Sequence, residues 1–186
     1  MFASTESSRG AGPYLALNLL RALTRVDPRW SLPTHVDALT LHKSALGAPS
    51  LHLCGKQGPS LSFSHGERRL WAAMSATRSV GIDVAYPKEF AGDYPFHRAF
   101  RPQELDWARH LCSNVTAPAA ALIWSLKEAS VKATGEGFHL IDPLDVRVGT
   151  PSFRRGQGIV FEVLAHRPVS AWASEESGGW LSVALA

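Results

Sequence analysis

The stretch from Ala117 to Gly135 restricts the fold more than any other part of the chain. It reads as one helix, opened by Ala117-Pro118, running to about Thr134 and closed by a glycine suited to the left-handed conformation. Within it, the nine residues from Trp124 to Lys132 (WSLKEASVK) place one acid and two bases on an otherwise apolar segment. On a helix Glu128 and Lys132 are four apart and share a face, while Lys127 is rotated by about 100° and approaches the same ligand from the side. A carboxylate suits a hard cation, and lysines suit a phosphate. Taken alone, the same spacing also describes a solvated helix face with an ordinary ion pair.

A second segment bears on the choice. Residues Ser79 to Ala85 (SVGIDVA) form a short apolar run carrying one carboxylate, Asp83, near its end. A buried strand with an isolated aspartate must supply it with donors or a cation, because an unpaired buried charge is costly. The competing reading is a turn aspartate that caps the next element. A third segment, Ser60 to His65 (SLSFSH), ends a strand-like run with Ser64 and His65 just before a Gly66-Glu67 turn. A single histidine at a strand end is usually structural.

The order of elements follows from periodicity and punctuation. Gly12-Pro13 opens a helix whose Leu15, Leu19, Leu23 and Val26 form one stripe, and Asp27-Pro28 closes it. Strands are expected at Leu51 to Leu53, Leu61 to Ser64, Leu70 to Ser75 and Val80 to Val84, separated by Gly-Pro and charged turns. Arg101-Pro102-Gln103-Glu104 then starts a helix, the Ala117 helix follows, and strands return at Leu144 to Val148, Ile159 to Val163, Val169 to Ala173 and Trp180 to Leu185. Helix and strands, then helices and strands, is an α+β pattern in two halves that meet near Ser75 to Ser79. Residues 1–12 are polar and small and read as a flexible N-terminus.

Composition narrows the function classes. At 186 residues and 45% hydrophobic content the chain can bury a sizeable core. It has no apolar run of 18 residues and no leader-like start, so neither a transmembrane helix nor a secretory signal is expected. Two cysteines, Cys54 and Cys112, make neither a disulfide framework nor a metal knuckle, which fits a reducing cytoplasm. The net charge of +3 suits an anionic ligand, but the basic residues are dispersed and carry no nucleic-acid-binding signature.

In this order and spacing the three segments resemble the 4′-phosphopantetheinyl transferase superfamily, whose members share a Ser-His pair, then Gly-(Ile/Val)-Asp, then Trp-(Ser/Thr)-x-Lys-Glu-Ala-x-x-Lys. The resemblance runs from about Leu46 to Val148. Phe100-Arg101-Pro102-Gln103-Glu104 resembles the family's Phe-x-x-x-Glu helix entry, and Lys132 to Phe138 (KATGEGF) resembles its Lys-x-x-Gly-x-Gly exit. The chain is closer to the two-lobed, surfactin-synthetase-activating type than to the trimeric fatty-acid type. The resemblance implies two pseudo-duplicated α+β lobes, residues 13–77 and 78–186, with the first shortened at its N-terminus and the second carrying the metal and catalytic motifs.

It also implies an activity: a cytoplasmic, monomeric enzyme that moves the phosphopantetheine arm of coenzyme A to a serine of an apo acyl or peptidyl carrier protein. Neither nucleic acid nor membrane is an expected partner. Asp83 and Glu128 would hold Mg²⁺, with Mn²⁺ as the alternative, and Glu128, Lys132 and Asp83 are the catalytic candidates. Ser64, His65, Lys127 and Lys132 would meet coenzyme A. The chain departs from the family at two places: Ala85 stands where the surfactin type commonly has a third carboxylate, and Ala48 in Gly47-Ala48-Pro49 replaces a basic residue, for which Lys43 is a candidate substitute. Those departures keep two other readings open, a coenzyme A-binding pseudoenzyme and a carrier-protein adaptor without chemistry.

Overall fold

In β5 (Ser60–Gly66) and β6 (Arg69–Ser75) alternate side chains point to opposite faces, and each face finds its own apolar partner. Leu61, Leu70, Ala72 and Met74 pack on α1 (Ala11–Thr24), which turns Leu15, Leu19, Leu20 and Leu23 toward them. Trp71 and Ala73 face the other way, onto Val80, Ile82 and Val84 of β7 (Val80–Ala85). The computed structural model describes residues 1–8, 10–30, 32, 39–45 and 47–186, so Leu46, where the family resemblance begins, lies outside the described residues.

The N-terminus corrects the sequence reading. Rather than a flexible end, Phe2–Glu6 form β1, paired antiparallel with β6 from Phe2 opposite Ala73 to Glu6 opposite Arg69. β6 has β5 on one side only, and β1 takes up the other edge to give the order β1-β6-β5. A second antiparallel sheet, β2 (Leu39–Lys43), β3 (Pro49–Leu53) and β4 (Lys56–Gln57), packs Leu39, Leu41, Leu51 and Leu53 against the same α1 core. β2 is absent from the sequence reading although Leu-Thr-Leu-His-Lys alternates in the period of a strand.

The second half is a larger antiparallel sheet with helices on its inner face. Strands follow the order β7, β12 (Gly179–Leu185), β11 (Pro168–Glu176), β10 (Gly158–Leu164) and β8 (Arg147–Val148), and β9 (Phe153–Arg155) also pairs with β10. α2 (Pro102–Leu111) and α3 (Thr116–Thr134) contribute Ala108, Leu122, Leu126 and Ala129 to one core with Phe161, Val163, Ala171 and Ala184. Gly135 ends α3 at φ 81°, the left-handed conformation expected of it. The strand expected over Leu144 to Val148 shortens to Arg147–Val148, because the Asp142 carboxylate accepts from the Leu144 N–H at 2.8 Å and turns the chain there. Among the described residues no helix is long and apolar enough to cross a membrane.

The halves form an α+β architecture: α1 on two three-stranded antiparallel sheets in the first, α2 and α3 on the larger antiparallel sheet in the second. They join along β7, which pairs with β12 on one side only. On its other edge the N–H groups of Val80, Ile82 and Val84 donate to the hydroxyls of Ser60, Ser62 and Ser64 at 3.0, 3.2 and 3.2 Å. The alternating serines of β5 thus complete the edge with side chains instead of a backbone ladder.

On the inner face α3 lies directly on β7. A methyl group at Gly81 would sit 1.9 Å from the Ala129 carbonyl oxygen and 2.7 Å from the Ala133 nitrogen, both of them backbone atoms that cannot rotate away. Gly81→Ala is therefore expected to lower unfolding stability by about 2 kcal/mol or more in a denaturant titration, as overpacking in a rigid contact does. An unchanged midpoint would show that α3 shifts freely over the sheet.

Candidate active site

Asp83 sits on the α3 side of β7 and is 7% exposed. Its Oδ1 accepts from the Lys132 ammonium at 2.7 Å and from the Ser64 hydroxyl at 2.9 Å. The same Lys132 ammonium donates to the Ile82 carbonyl at 3.2 Å, so it is fixed against the strand. Ser64 is a relay: its oxygen accepts the Val84 N–H while its proton goes to Asp83. Burial pushes the Asp83 carboxyl above the ordinary carboxylate range, and Lys132, Ser64 and the Val84 N–H oppose that rise.

Glu128 lies one turn before Lys132 on the same face of α3 and is half-buried. Its carboxyl is also raised, first by burial and then by the negative charge of Asp83, with Lys132 pulling the other way. Among the described residues it has no hydrogen-bond partner. Two carboxylates that raise or repel each other around one lysine are a place where a further positive charge would be stabilised.

Glu128 and Lys132 open onto a cavity of about 490 Å³. Its walls are the end of α3 and its exit, residues 131–139, together with residues 60–63 of β5, 79–80 at the start of β7 and 47–49 at the entry to β3. Glu136, on this wall, is held by the Thr134 hydroxyl at 2.9 Å and by His166. Neither Glu136 nor His139 stands out in the sequence, where only the flanking glycines carry a signal. Trp124 is a packing residue, with its ring against Phe90, Phe100 and Phe138.

A profile of the 4′-phosphopantetheinyl transferase superfamily matches residues 79–186 of the chain. The chain belongs to that superfamily. The matched region holds β7, α2, α3 and the large sheet, and with them Asp83, Glu128 and Lys132; Ser64, His65 and Lys43 lie before it. Among curated proteins the chain is similar to the 4′-phosphopantetheinyl transferase HetI of Nostoc sp. strain PCC 7120, at 28% identity over 98 residues. That alignment covers 52% of this chain and 41% of the relative, so the chain matches less than half of the relative's length.

One residue of the superfamily's Lys-Glu-Ala motif departs from its expected place. Lys127 does not reach the cavity but is fully buried on the opposite side of α3, where the 100° rotation takes it inward rather than toward the ligand. Its three N–H groups are spent on the carbonyls of Ala99 and Pro143, both at 2.9 Å, and on Glu104 at 2.8 Å. Burial lowers the ammonium's pKa and Glu104 counters it. Glu104 in turn accepts the Arg101 N–H at 3.0 Å, capping α2, and the Val148 N–H at 2.8 Å. The pair therefore ties α2, α3 and the strand β8 together.

The remaining candidates are distributed as follows. Ser64 is buried beside Asp83, and His65, the next residue on β5, is exposed on the other face; neither lines the cavity. Lys43 is exposed on β2 opposite Pro49, a cavity residue, and Ala48 is itself in the wall. Ala85 is fully enclosed in the core that contains Phe90.

Removing Lys127 leaves a carboxylate buried without its cation. Lys127→Ala is expected to cost about 3–5 kcal/mol of stability, and Glu104→Gln added to Lys127→Met to recover part of that loss, as read from denaturant unfolding. Equal losses in the two cases would mean that the charge is not the determinant. Ser64→Ala removes one donor to Asp83 and one acceptor for Val84 and is expected to cost about 1–3 kcal/mol by the same measurement.

Proposed function

We propose that the protein transfers the 4′-phosphopantetheine arm of coenzyme A to a serine hydroxyl of an apo acyl or peptidyl carrier protein, releasing adenosine 3′,5′-bisphosphate. The observation that carries this reading is Glu128, a carboxylate without a hydrogen-bond partner among the described residues, on a cavity wall beside Lys132 in a chain of this superfamily. The similar protein HetI is itself a 4′-phosphopantetheinyl transferase. The two halves correspond, in this proposal, to the two lobes divided near residue 77, with the first reaching back beyond residue 13 to include β1 and the start of α1, and one chain then suffices for one site.

The donor set fits a hard cation. The Ser64 and Lys132 hydrogen bonds to Asp83 both fall on Oδ1, and Glu128 supplies a second carboxylate. Mg²⁺ takes few protein carboxylates and completes its shell with water and phosphate, so two carboxylates suffice for it. Asp83 and Glu128 would hold Mg²⁺, or Mn²⁺ in its place, which when bound would neutralise charge on the pyrophosphate of coenzyme A.

The chain's own residues do the rest. Lys132, aimed by Asp83 and Ile82, presents its ammonium to phosphate oxygens. Glu128 accepts the proton of the attacking serine at a carboxylate oxygen, and its raised pKa makes it a better base than an ordinary glutamate. Ser64 keeps Asp83 oriented instead of meeting coenzyme A itself. Lys43, opposite Pro49, is the cation nearest in register to Ala48 and takes the place of the missing basic residue.

Mass spectrometry of an apo carrier protein incubated with coenzyme A and Mg²⁺ tests the proposal, the expected result being a gain of one phosphopantetheine. Coenzyme A binding without any gain on several carriers would identify a pseudoenzyme, and carrier binding without coenzyme A binding an adaptor. Glu128→Gln is expected to lower the transfer rate by about a hundredfold or more with little change in melting temperature, because it keeps the shape and removes the base. Lys132→Ala is expected to weaken coenzyme A by about tenfold or more in calorimetry. Unchanged affinity with a large fall in melting temperature would instead make Lys132 a structural ion-pair partner of Asp83.

A further inference from the structure

The sheet β2-β3-β4 carries a pair of side chains that the transferase reading does not use. His42 on β2 stands opposite Ser50, and His52 on β3 stands opposite Thr40, so the two imidazoles are diagonal neighbours on adjacent antiparallel strands. Leu41 and Leu51 face the α1 core, which puts His42 and His52 together on the outer face. Their ring centroids are 4.7 Å apart at 66° to one another. A cation about 2.1 Å from one nitrogen of each ring, at a square or tetrahedral angle, separates two imidazole centroids by about 4.5–5.2 Å. The rings already stand at that separation.

We propose that His42 and His52 form a two-imidazole site for a borderline divalent cation of the Ni²⁺, Cu²⁺ or Zn²⁺ class. The chemistry of the surrounding face selects that class. Beside the two rings it presents the hydroxyls of Thr40 and Ser50 and the amide of Gln57, which pairs with His52, and none of the three strands carries an acid. Imidazole nitrogens suit these metals, whereas Mg²⁺ and Ca²⁺ take oxygen ligands, carboxylates foremost. Lys43 alternates with His42 and so stands on the other face of β2, its exposed charge not between the rings. The site is open on its solvent side, so water completes the coordination shell.

Binding there would clip β2 to β3 one residue from Pro49, which lines the main cavity. The two cation sites are then separated by chemistry as well as by place, carboxylates for the hard ion and imidazoles for the borderline one. The inference does not depend on the transferase activity and stands or falls on metal binding alone.

Calorimetric titration of the tag-free protein with Cu²⁺, in a large excess of Mg²⁺, tests it, with electron paramagnetic resonance of the bound ion counting its nitrogen ligands. The expected result is binding that Mg²⁺ does not displace, a spectrum with two imidazole nitrogens, and at least about a tenfold loss of affinity in both His42→Ala and His52→Ala. His110→Ala, on the exposed side of α2, is expected to leave the affinity unchanged. Both hairpin substitutions lie on the outer face, and a melting curve for each checks that the fold stands. Absence of binding, a single-nitrogen spectrum, or equal affinity in the double variant and the original protein would overturn the proposal.

Discussion

β7 has a strand on one side and none on the other, and its backbone groups on the open side must still be satisfied in a buried setting. The protein meets this requirement with hydroxyls, one from every second residue of β5. The third hydroxyl in that row also reaches Asp83, so the seam between the halves and the position of the key carboxylate are set by the same side chain. The opposite face of β7 is set by α3, pressed close enough at Gly81 that no side chain fits between. Asp83 is thus located from two directions before any ligand arrives.

The two lysines of the Trp124–Lys132 segment show how helical phase sends one side chain into the core and the other to the cavity wall. Lys127 points into the core, where Glu104 and two carbonyls take all its donors. Lys132 points along β7, where it is 30% exposed, bonded to Asp83 and in the cavity wall. A buried ion pair adds little net stability by itself, because desolvation offsets much of the attraction. What it does here is specify geometry: Glu104 can cap α2, receive Val148 and hold Lys127 only if both helices and β8 are in register.

Most of the architecture was legible because its signals are local. Proline marks the first turn of α1, α2 and α3 and glycine closes α3, and alternating apolar residues mark β5, β6, β7 and the C-terminal strands. The residues Asp83, Glu128 and Lys132 were legible as a set from their motif spacing. The strand β1 was not, since a five-residue polar segment becomes a strand only when β6 offers it an edge, which is a tertiary fact. Lys127 was misplaced for a related reason: sequence fixes its phase relative to Glu128 but not which side of the helix meets the core. The Ser-x-Ser-x-Ser period of β5 was visible throughout, and its meaning required β7 beside it.

The serine seam has a consequence for how such a chain can diverge. A backbone ladder is indifferent to side chains, so any sequence of strand propensity maintains it. Here each rung is encoded separately, at codons 60, 62 and 64, and can be lost or restored by a single substitution. The strength of attachment between the two halves is therefore a heritable, stepwise variable, open to gradual selection in a way that ordinary sheet pairing is not.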